Sequence, residues 1–512
     1  MSTVAAIAYQ VEAMMEHVDV LVVGAGLAGI GAAALIRRRL PHKSIRIVEA
    51  GEEIGGTWNT FRYPGIRSDS DMQTLGYSFR PWRSSRTLAP GSEILQYIRR
   101  TAYAEGLDEL IRTNTRMLSA TWSSVQARWT VTLESTTAGH RSEVSCSFLH
   151  LCTGYYDHQR GYLPDFAGAD DFTGPIVHPQ HWPTDLDYAD QHVVVIGSGA
   201  TAVTLVPALA KAASHVTMVQ RSPSYVVALP SDDGVARLLM RWLPHAIADP
   251  VIRWKNIASI TLAYRAAKHA PRLVGSAIRK RVARAIGDSG DAERDFSPRY
   301  EPWEQRVCFV PDGDLFDTLR SEKASVITDQ IVQFTTEGVD LVDHGIVAAD
   351  IIVTATGLRL EILGGAHITV DGNSVDPADH IAYKGMMLSG VPNLSFAIGY
   401  TNASWTLKCD LVAAYVCRLL TYMDTSGHAS CTPIPTDPGA PTLPYVDLTS
   451  GYIQRSRHLL PRQTAHSPWR FHGDWFRDAL LYRRSKLEDS EMRFAPAAEP
   501  VDNEHSPRPV AP

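Results

Sequence analysis

Val18-Asp19-Val20-Leu21-Val22-Val23-Gly24-Ala25-Gly26-Leu27-Ala28-Gly29 decides the fold. The apolar run from Val18 to Val23 reads as a buried strand, the glycines as a tight turn, and Ile30 to Leu40 as a helix stopped by Pro41. A second short strand, Ile45 to Val48, closes on Glu49. In this order the glycines permit a tight turn, close approach of backbone to a pyrophosphate, and close packing of helix on strand. The helix N-terminus then offers unpaired N–H groups to the phosphate. Gly24, Gly26, Ala28 and Gly29 are therefore candidate dinucleotide contacts. Glu49, twenty residues beyond Gly29, stands where an acid accepts hydrogen bonds from a ribose diol.

The pattern recurs once. Gln191 to Ile196 reads as a strand, Gly197-Ser198-Gly199-Ala200-Thr201-Ala202 as its turn, and a helix runs to about Ala213. The strand Val216 to Val219 follows, then Gln220-Arg221. The position that corresponds to Glu49 is not an acid and is followed by Arg221, and a cation there suits a 2′-phosphate. Gly197, Ser198, Gly199, Thr201, Ala202, Gln220 and Arg221 are the second set of candidate contacts. One turn keyed to a free ribose and one to a phosphorylated ribose point to FAD plus NADPH, and so to electron transfer through flavin.

The expected architecture is α/β, with two Rossmann-like dinucleotide-binding domains (FAD and NADP) and a helical insertion. The FAD domain is expected at 16–155 and 346–425, and the NADP domain at 156–230 and 296–345. The helical insertion falls at 231–295, a C-terminal segment at 426–494, and a disordered tail at 495–512. The stretches Leu151 to Gly154 and Ala355 to Gly357 read as the two linkers, with Cys152 a packing residue.

Composition sets the outer limits. A chain of 512 residues, 20% charged and 45% hydrophobic, has the make-up of a folded enzyme of two or three domains, and excludes disordered, collagen-like and coiled-coil classes. With 49 basic against 55 acidic side chains, no global field draws nucleic acid. The six cysteines show no CxxC spacing, which argues against zinc or any other metal site, against a redox dithiol, and for a reducing cytosol. Disulfide reductase chemistry, which needs a cysteine pair beside the flavin, is thereby disfavoured. The first sixteen residues carry Glu12 and Glu16 but no Lys or Arg, unlike a signal peptide. They read as an extension or a start-site artefact, and no window reads as a membrane span. From Arg237 to Arg284 eleven Lys or Arg face the single acid Asp249. Such basic helices are open to two readings, a solvated insertion or a peripheral contact with an anionic membrane.

A longer pattern names a family. Phe172-Thr173-Gly174-Pro175-Ile176-Val177-His178-Pro179-Gln180-His181-Trp182-Pro183 matches FxGxxxHxxxWP, just ahead of the second turn, and resembles the fingerprint of class B flavoprotein Baeyer–Villiger monooxygenases. Gly55-Gly56-Thr57-Trp58, the stretch Arg62 to Asp71, Gly197 to Pro207, Tyr383 to Met387 and Thr401 to Trp405 are similar to an actinobacterial branch of that family. The resemblance implies FAD and NADPH as cofactors, and insertion of one atom of dioxygen into a small lipophilic ketone to give an ester or lactone. It also implies oxygenation of thioether or thioamide sulfur.

Carried over by position, Thr57 and Trp58 border the flavin, with Met117, Arg67 and Ser68 as further cofactor contacts. Asp69 faces the reaction site. Arg306, in Gln305-Arg306-Val307-Cys308, takes the place of the active-site arginine; Gln305 departs from the family's lysine, which throws more of the 2′-phosphate onto Arg221. The physical reading agrees, because a guanidinium stays charged at any working pH and can meet negative charge on activated oxygen and on the ketone oxygen. Asp69 would hold that cation. The fingerprint residues Phe172, Gly174, His178 and Trp182 read as a hinge coupling nucleotide binding to domain closure. Two alternatives stand beside ester formation: N- or S-oxygenation alone, and a flavin-binding redox sensor. The sequence is compatible with oligomerisation.

Overall fold

The computed structural model describes residues 15–496. The expected N-terminal extension, and the expected tail beyond residue 496, lie outside the described residues. Ala495 and Pro496 are not tail: they end the strand Met492–Pro496, which pairs antiparallel with His428–Pro433.

The first sheet grows from the quoted stretch. Glu16–Val23 lies between Ile45–Val48 and Arg141–Leu151, parallel to both, with Ile111–Arg112 beyond Ile45–Val48. Val20, Leu21 and Val22 are fully buried, as a strand covered on both faces requires. The meander Thr115–Ser123, Arg128–Ser135 and Arg141–Leu151 is antiparallel, and Leu394–Phe396 returns from far along the chain to pair parallel with Arg141–Leu151. Helix Leu27–Arg39 covers one face and packs against the long helix Trp405–Ser426.

Between these limbs sits a second, five-stranded parallel sheet, ordered Ala324–Thr328, His215–Gln220, His192–Ile196, Ile351–Thr354, Ile176–Val177. Helix Ala200–Leu209 follows the turn and crosses from His192–Ile196 to the neighbouring parallel strand His215–Gln220. The expected return to the FAD domain at 346 is therefore too early. Ile351–Thr354 is buried throughout and bonded to His192–Ile196, so the chain leaves the second sheet only after Thr354. The linkers meet just beyond the expected stretches, where Tyr156–Gly161 pairs antiparallel with Leu358–Leu360.

The insertion is helical, as its pattern predicts: Gly234–Trp242, His245–His269, Pro271–Ile286 and the short Ala292–Asp295. Local chemistry sets its corners. The Asp233 carboxylate caps the first helix by accepting from the N–H groups of Val235 and Ala236, and Pro271 opens the third where its missing N–H costs nothing. The C-terminal segment then runs back across the first domain, and its helix Trp475–Arg484 packs on Trp405–Ser426.

Candidate active site

Each glycine turn is shaped for backbone against backbone. Gly24 has φ +100°, and a Cβ there would stand 2.5 Å from the Cys152 carbonyl oxygen; one on Gly29 would stand 1.8 Å from the Gly24 oxygen. Helix Leu27–Arg39 starts with no side-chain cap and no acid in its first turn, and ends on Arg37, Arg38 and Arg39. Its positive end is thus left open to an anion while its negative end is compensated. Glu49 sits beside the turn, accepting the Ala25 N–H at 2.7 Å and the Gly51 N–H at 2.8 Å. Gly55 donates to the Ala25 oxygen at 3.0 Å, which lays Gly56, exposed Thr57 and half-buried Trp58 along the same turn.

The second turn matches the first. Gly197, at φ +140°, would press a Cβ to 2.4 Å from the Ala355 oxygen, whereas a Cβ on Gly199 would meet nothing within 4 Å. Helix Ala200–Leu209 again starts without a side-chain cap or an acid. Both turns thus fit a dinucleotide phosphate. Ser198 is held by Ser222 and Ser224, Thr201 bonds the Tyr63 phenol that reaches over from the first domain, and Arg221 is exposed at the rim. Burial first pushes the Tyr63 phenol up to about 12, so it is neutral.

The two domains meet at a charge pair. Arg306 Nη2 lies 2.5 Å from Asp69 Oδ2, with the guanidinium about a quarter exposed. Burial works against the Arg306 charge and is the largest single influence, but the Asp69 carboxylate together with Tyr155, Tyr156 and Tyr452 outweighs it and raises the pKa further. The loop that carries Arg306 is strained: Trp303, three residues earlier, adopts φ +70°. Tyr264 and Phe309 rings clamp that indole at 6.0 and 6.4 Å.

Four of the expected contacts turn elsewhere. Gln220 is buried and spends its amide on the Asp295 oxygen (2.7 Å) and Thr328 (2.9 Å). Ser68 is buried and accepts the Ala89 N–H at 3.0 Å. Met117 packs in the core with Val18, Leu21 and Val48. Arg67 grips Asp314 across the domain boundary, at 2.5 and 3.2 Å. Motif spacing fixed the places of Gln220, Ser68 and Arg67 along the backbone, but not the side to which each points.

The fingerprint braces the linkers. His178 Nε2 donates to the Gly357 oxygen at 3.1 Å while Nδ1 accepts the Gln180 N–H, and its ring fills the space that a Cβ on Gly161 would need. Burial lowers its pKa, so the ring is neutral. Phe172 plugs the core beneath the second sheet, Gly174 lets the chain pass the Asp350 oxygen, and Trp182 meets Tyr188 edge-on.

Known proteins share this layout. A family described as pyridine nucleotide-disulphide oxidoreductase matches residues 18–241, which hold both turns. The FAD-containing monooxygenase EthA of Mycobacterium tuberculosis is 50% identical over 491 residues, 95% of this chain and 100% of its own. The chain belongs to the FAD-containing monooxygenases. Solved structures of an oxidized steroid monooxygenase bound to NADP (TM-score 0.73) and of OTEMO complexed with FAD and NADP (TM-score 0.72) have the same fold. Each is 23% identical, with 94% of this chain and 100% of theirs covered. The disulphide part of the first family's description finds no counterpart, since all six cysteines are free and buried.

In this monooxygenase the sequence reading missed a ring of aromatic side chains around Arg306. Tyr155 and Tyr156, at the linker, share a hydrogen bond of 2.9 Å between their hydroxyls, and Tyr452 bonds Tyr155 from the C-terminal segment. Burial raises all three phenols while the nearby Arg306 charge opposes it. Trp405 stacks on Tyr155 at 5.2 Å. Arg455 was missed too: its guanidinium covers the Tyr162 ring at 3.4 Å, beside Gly357 and the second turn. Burial lowers its pKa, and the like charge of Arg221 adds to this. The linker tyrosines after Gly154 and Trp405, at the end of the quoted Thr401 to Trp405 stretch, gave a signal; Tyr452 and Arg455 had none.

Proposed function

We propose that this FAD-containing monooxygenase is NADPH-dependent and of the Baeyer–Villiger type, inserting one oxygen atom into a small lipophilic ketone to give an ester or lactone, and oxygenating thioether or thioamide sulfur besides. The observation that carries the reading is the Arg306–Asp69 pair at the meeting of the two domains, ringed by three neutral phenols. Bound FAD, reduced by NADPH, supplies the activation of dioxygen. The residues of the chain do the rest. The first turn and Glu49 hold the FAD diphosphate and ribose; the second turn holds NADPH, with Arg221 and Arg455 at its phosphates. Arg306 offers a fixed cation to negative charge on oxygen, and Asp69 keeps its fork in place without neutralising it. Tyr155, Tyr156, Tyr452 and Trp405 pack aromatic surface around the cation and, with their phenols neutral, add no further charge beside it. Six free, buried thiols support a reducing, cytoplasmic setting.

The test is product analysis with a lipophilic methyl ketone and a thioether. Wild type should form one ester per NADPH consumed. Arg306→Ala should lower ester formation about 10²–10³-fold, the cost of one missing transition-state donor, with hydrogen peroxide replacing ester. Ester formation that survives in Arg306→Ala refutes the role of the cation. Wild type that makes sulfoxide but never ester assigns the protein to S-oxygenation alone, and FAD that is never bleached by NADPH under anaerobic conditions assigns it to a sensor.

A further inference from the structure

The helical insertion wears apolar side chains on its outside. Helix Gly234–Trp242 turns Ala236 inward but leaves Val235, Leu238 and Trp242 outside at i, i+3 and i+7, with Leu238 57% and Trp242 71% exposed. Helix His245–His269 buries Ala248, Ile252 and Ile257, yet presents Ile247, Val251, Trp254 and Leu262 to the outside, with Ile247 52% and Trp254 48% exposed. Trp254 lies edge-on to Trp475 at 5.0 Å and beside Phe476 at 6.0 Å, which carries the apolar face on to exposed Leu480 of helix Trp475–Arg484. A solvated insertion would turn a polar face outward; contiguous exposed rings and branched aliphatics mark a surface that something covers.

Charge says what. Although the whole chain carries a net −6, residues 237–284 hold eleven cations and one acid, Asp249, which is paired with Arg83 (3.3 Å) and His245 (3.2 Å). Four of the cations pair with acids outside the stretch, Arg237 with Asp232, Arg253 with Asp410, Lys255 with Asp233 and Arg265 with Asp474, and the other seven, from Arg241 to Arg284, form no ion pair among the described residues. Helix Trp475–Arg484 adds exposed Arg477, Arg483 and Arg484, while its Asp478 is buried. A second copy would bring an equally basic face and repel. Nucleic acid has no use for the aliphatic stripe. We propose that this outer face docks on an anionic lipid surface, its cations over the headgroups and its apolar stripe among the acyl chains. No helix among the described residues is long and apolar enough to cross a membrane, so the protein lies on the bilayer.

The inner face of the same helix touches the candidate site. Asn256 donates to Asp71 at 3.1 Å and Arg253 to the Gln73 oxygen at 3.1 Å, next to Asp69, and Tyr264 holds Trp303 ahead of Arg306. One helix, about 10–12 Å across, thus carries the exposed stripe on one side and contacts to Asp71, Gln73 and Trp303 on the other.

Co-flotation of the FAD-loaded full chain tests the proposal without any turnover, so its outcome is independent of the reaction proposed above. The protein should float with vesicles of equal parts phosphatidylglycerol and phosphatidylcholine, at least tenfold more than with phosphatidylcholine alone, and less as salt rises. Leu238→Glu/Trp242→Glu should lose at least tenfold of that binding while NADPH oxidation with a water-soluble ketone is unchanged. Wild type that stays with the soluble fraction, or a double variant that floats as well as wild type, overturns the proposal. Self-association that the double variant abolishes, without flotation of wild type, gives the face to a second copy instead.

Discussion

A single guanidinium serves differently at the two ends of the second dinucleotide site. Arg306 is held by a carboxylate, whereas among the described residues neither Arg221 nor Arg455 forms an ion pair. Two like charges brought near each other and left unpaired are unfavourable unless an anion joins them. The 2′-phosphate of NADPH is such an anion, and with Gln305 in the lysine's place the C-terminal segment would supply the second cation through Arg455. Arg221→Ala and Arg455→Ala should each weaken NADP+ binding about tenfold or more, the scale of one charge-assisted bond at about 1.5–3 kcal/mol, and leave NAD+ binding nearly unchanged. Calorimetric titration of the oxidised enzyme reads this directly; equal losses for both nucleotides would reduce Arg455 to a prop for Tyr162. Arg221 was legible because motif spacing fixes it, as it fixes Arg306 and Asp69. Arg455 and Tyr452 were not, because nothing local says that the segment carrying them folds back over the linker. Gln220, Ser68 and Arg67 show the converse: a right position in a motif does not decide which face of the backbone a side chain takes.

Elements whose periodicity and turn chemistry agree were readable almost to the residue, as Ile45–Val48 attests, whereas the insertion was legible as helical but not in the bounds of its three long helices. Pairing between distant strands was not, because any buried apolar strand fits beside any other until the whole chain is packed. That is why Ile351–Thr354 belongs to the second sheet, and why Leu394–Phe396 joins Arg141–Leu151 in the first. The latter junction carries a titratable group. His150 is fully buried, its Nδ1 lies 2.7 Å from the Ser395 hydroxyl, and its Nε2 has no partner. Burial pushes its pKa down to about 4. The sign follows from linkage: below an unfolded value of about 6.5 the unfolded chain gains a proton that the folded protein refuses until about pH 4. His150 should therefore cost stability as pH falls through that window, at up to about 1.4 kcal/mol per pH unit. Urea unfolding between pH 7 and 4.5 should show the slope in wild type and a shallower one in His150→Gln; identical slopes would place the acid sensitivity in other groups.

The whole molecule is closed by its C-terminal segment, and two buried lysines do the closing. Lys408 has its ammonium 3.0 Å from Asp478, under the rings of Tyr482 (4.3 Å) and Phe471 (4.7 Å), and Tyr400 donates to the same carboxylate at 2.7 Å. Lys384, pushed down to about 8 by burial against the pull of Asp489, pairs with that residue at 3.2 Å. Both lysines belong to the returning limb of the FAD domain and both aspartates to the same C-terminal segment that carries Tyr452 and Arg455. Removing one partner of a buried pair strands the other charge. Asp478→Ala should cost about 3–5 kcal/mol, whereas Lys408→Met/Asp478→Leu, which removes both charges and keeps the volume, should recover most of it. Chemical denaturation followed by tryptophan emission reads the stability, and NADP+ titration of the same variants reads the site. If the segment positions Arg455 as argued, NADP+ affinity should fall in Asp478→Ala under conditions where the first sheet is still folded, and return in the double variant. An affinity that ignores the state of this clamp would mean that the second nucleotide site is complete without the C-terminal segment.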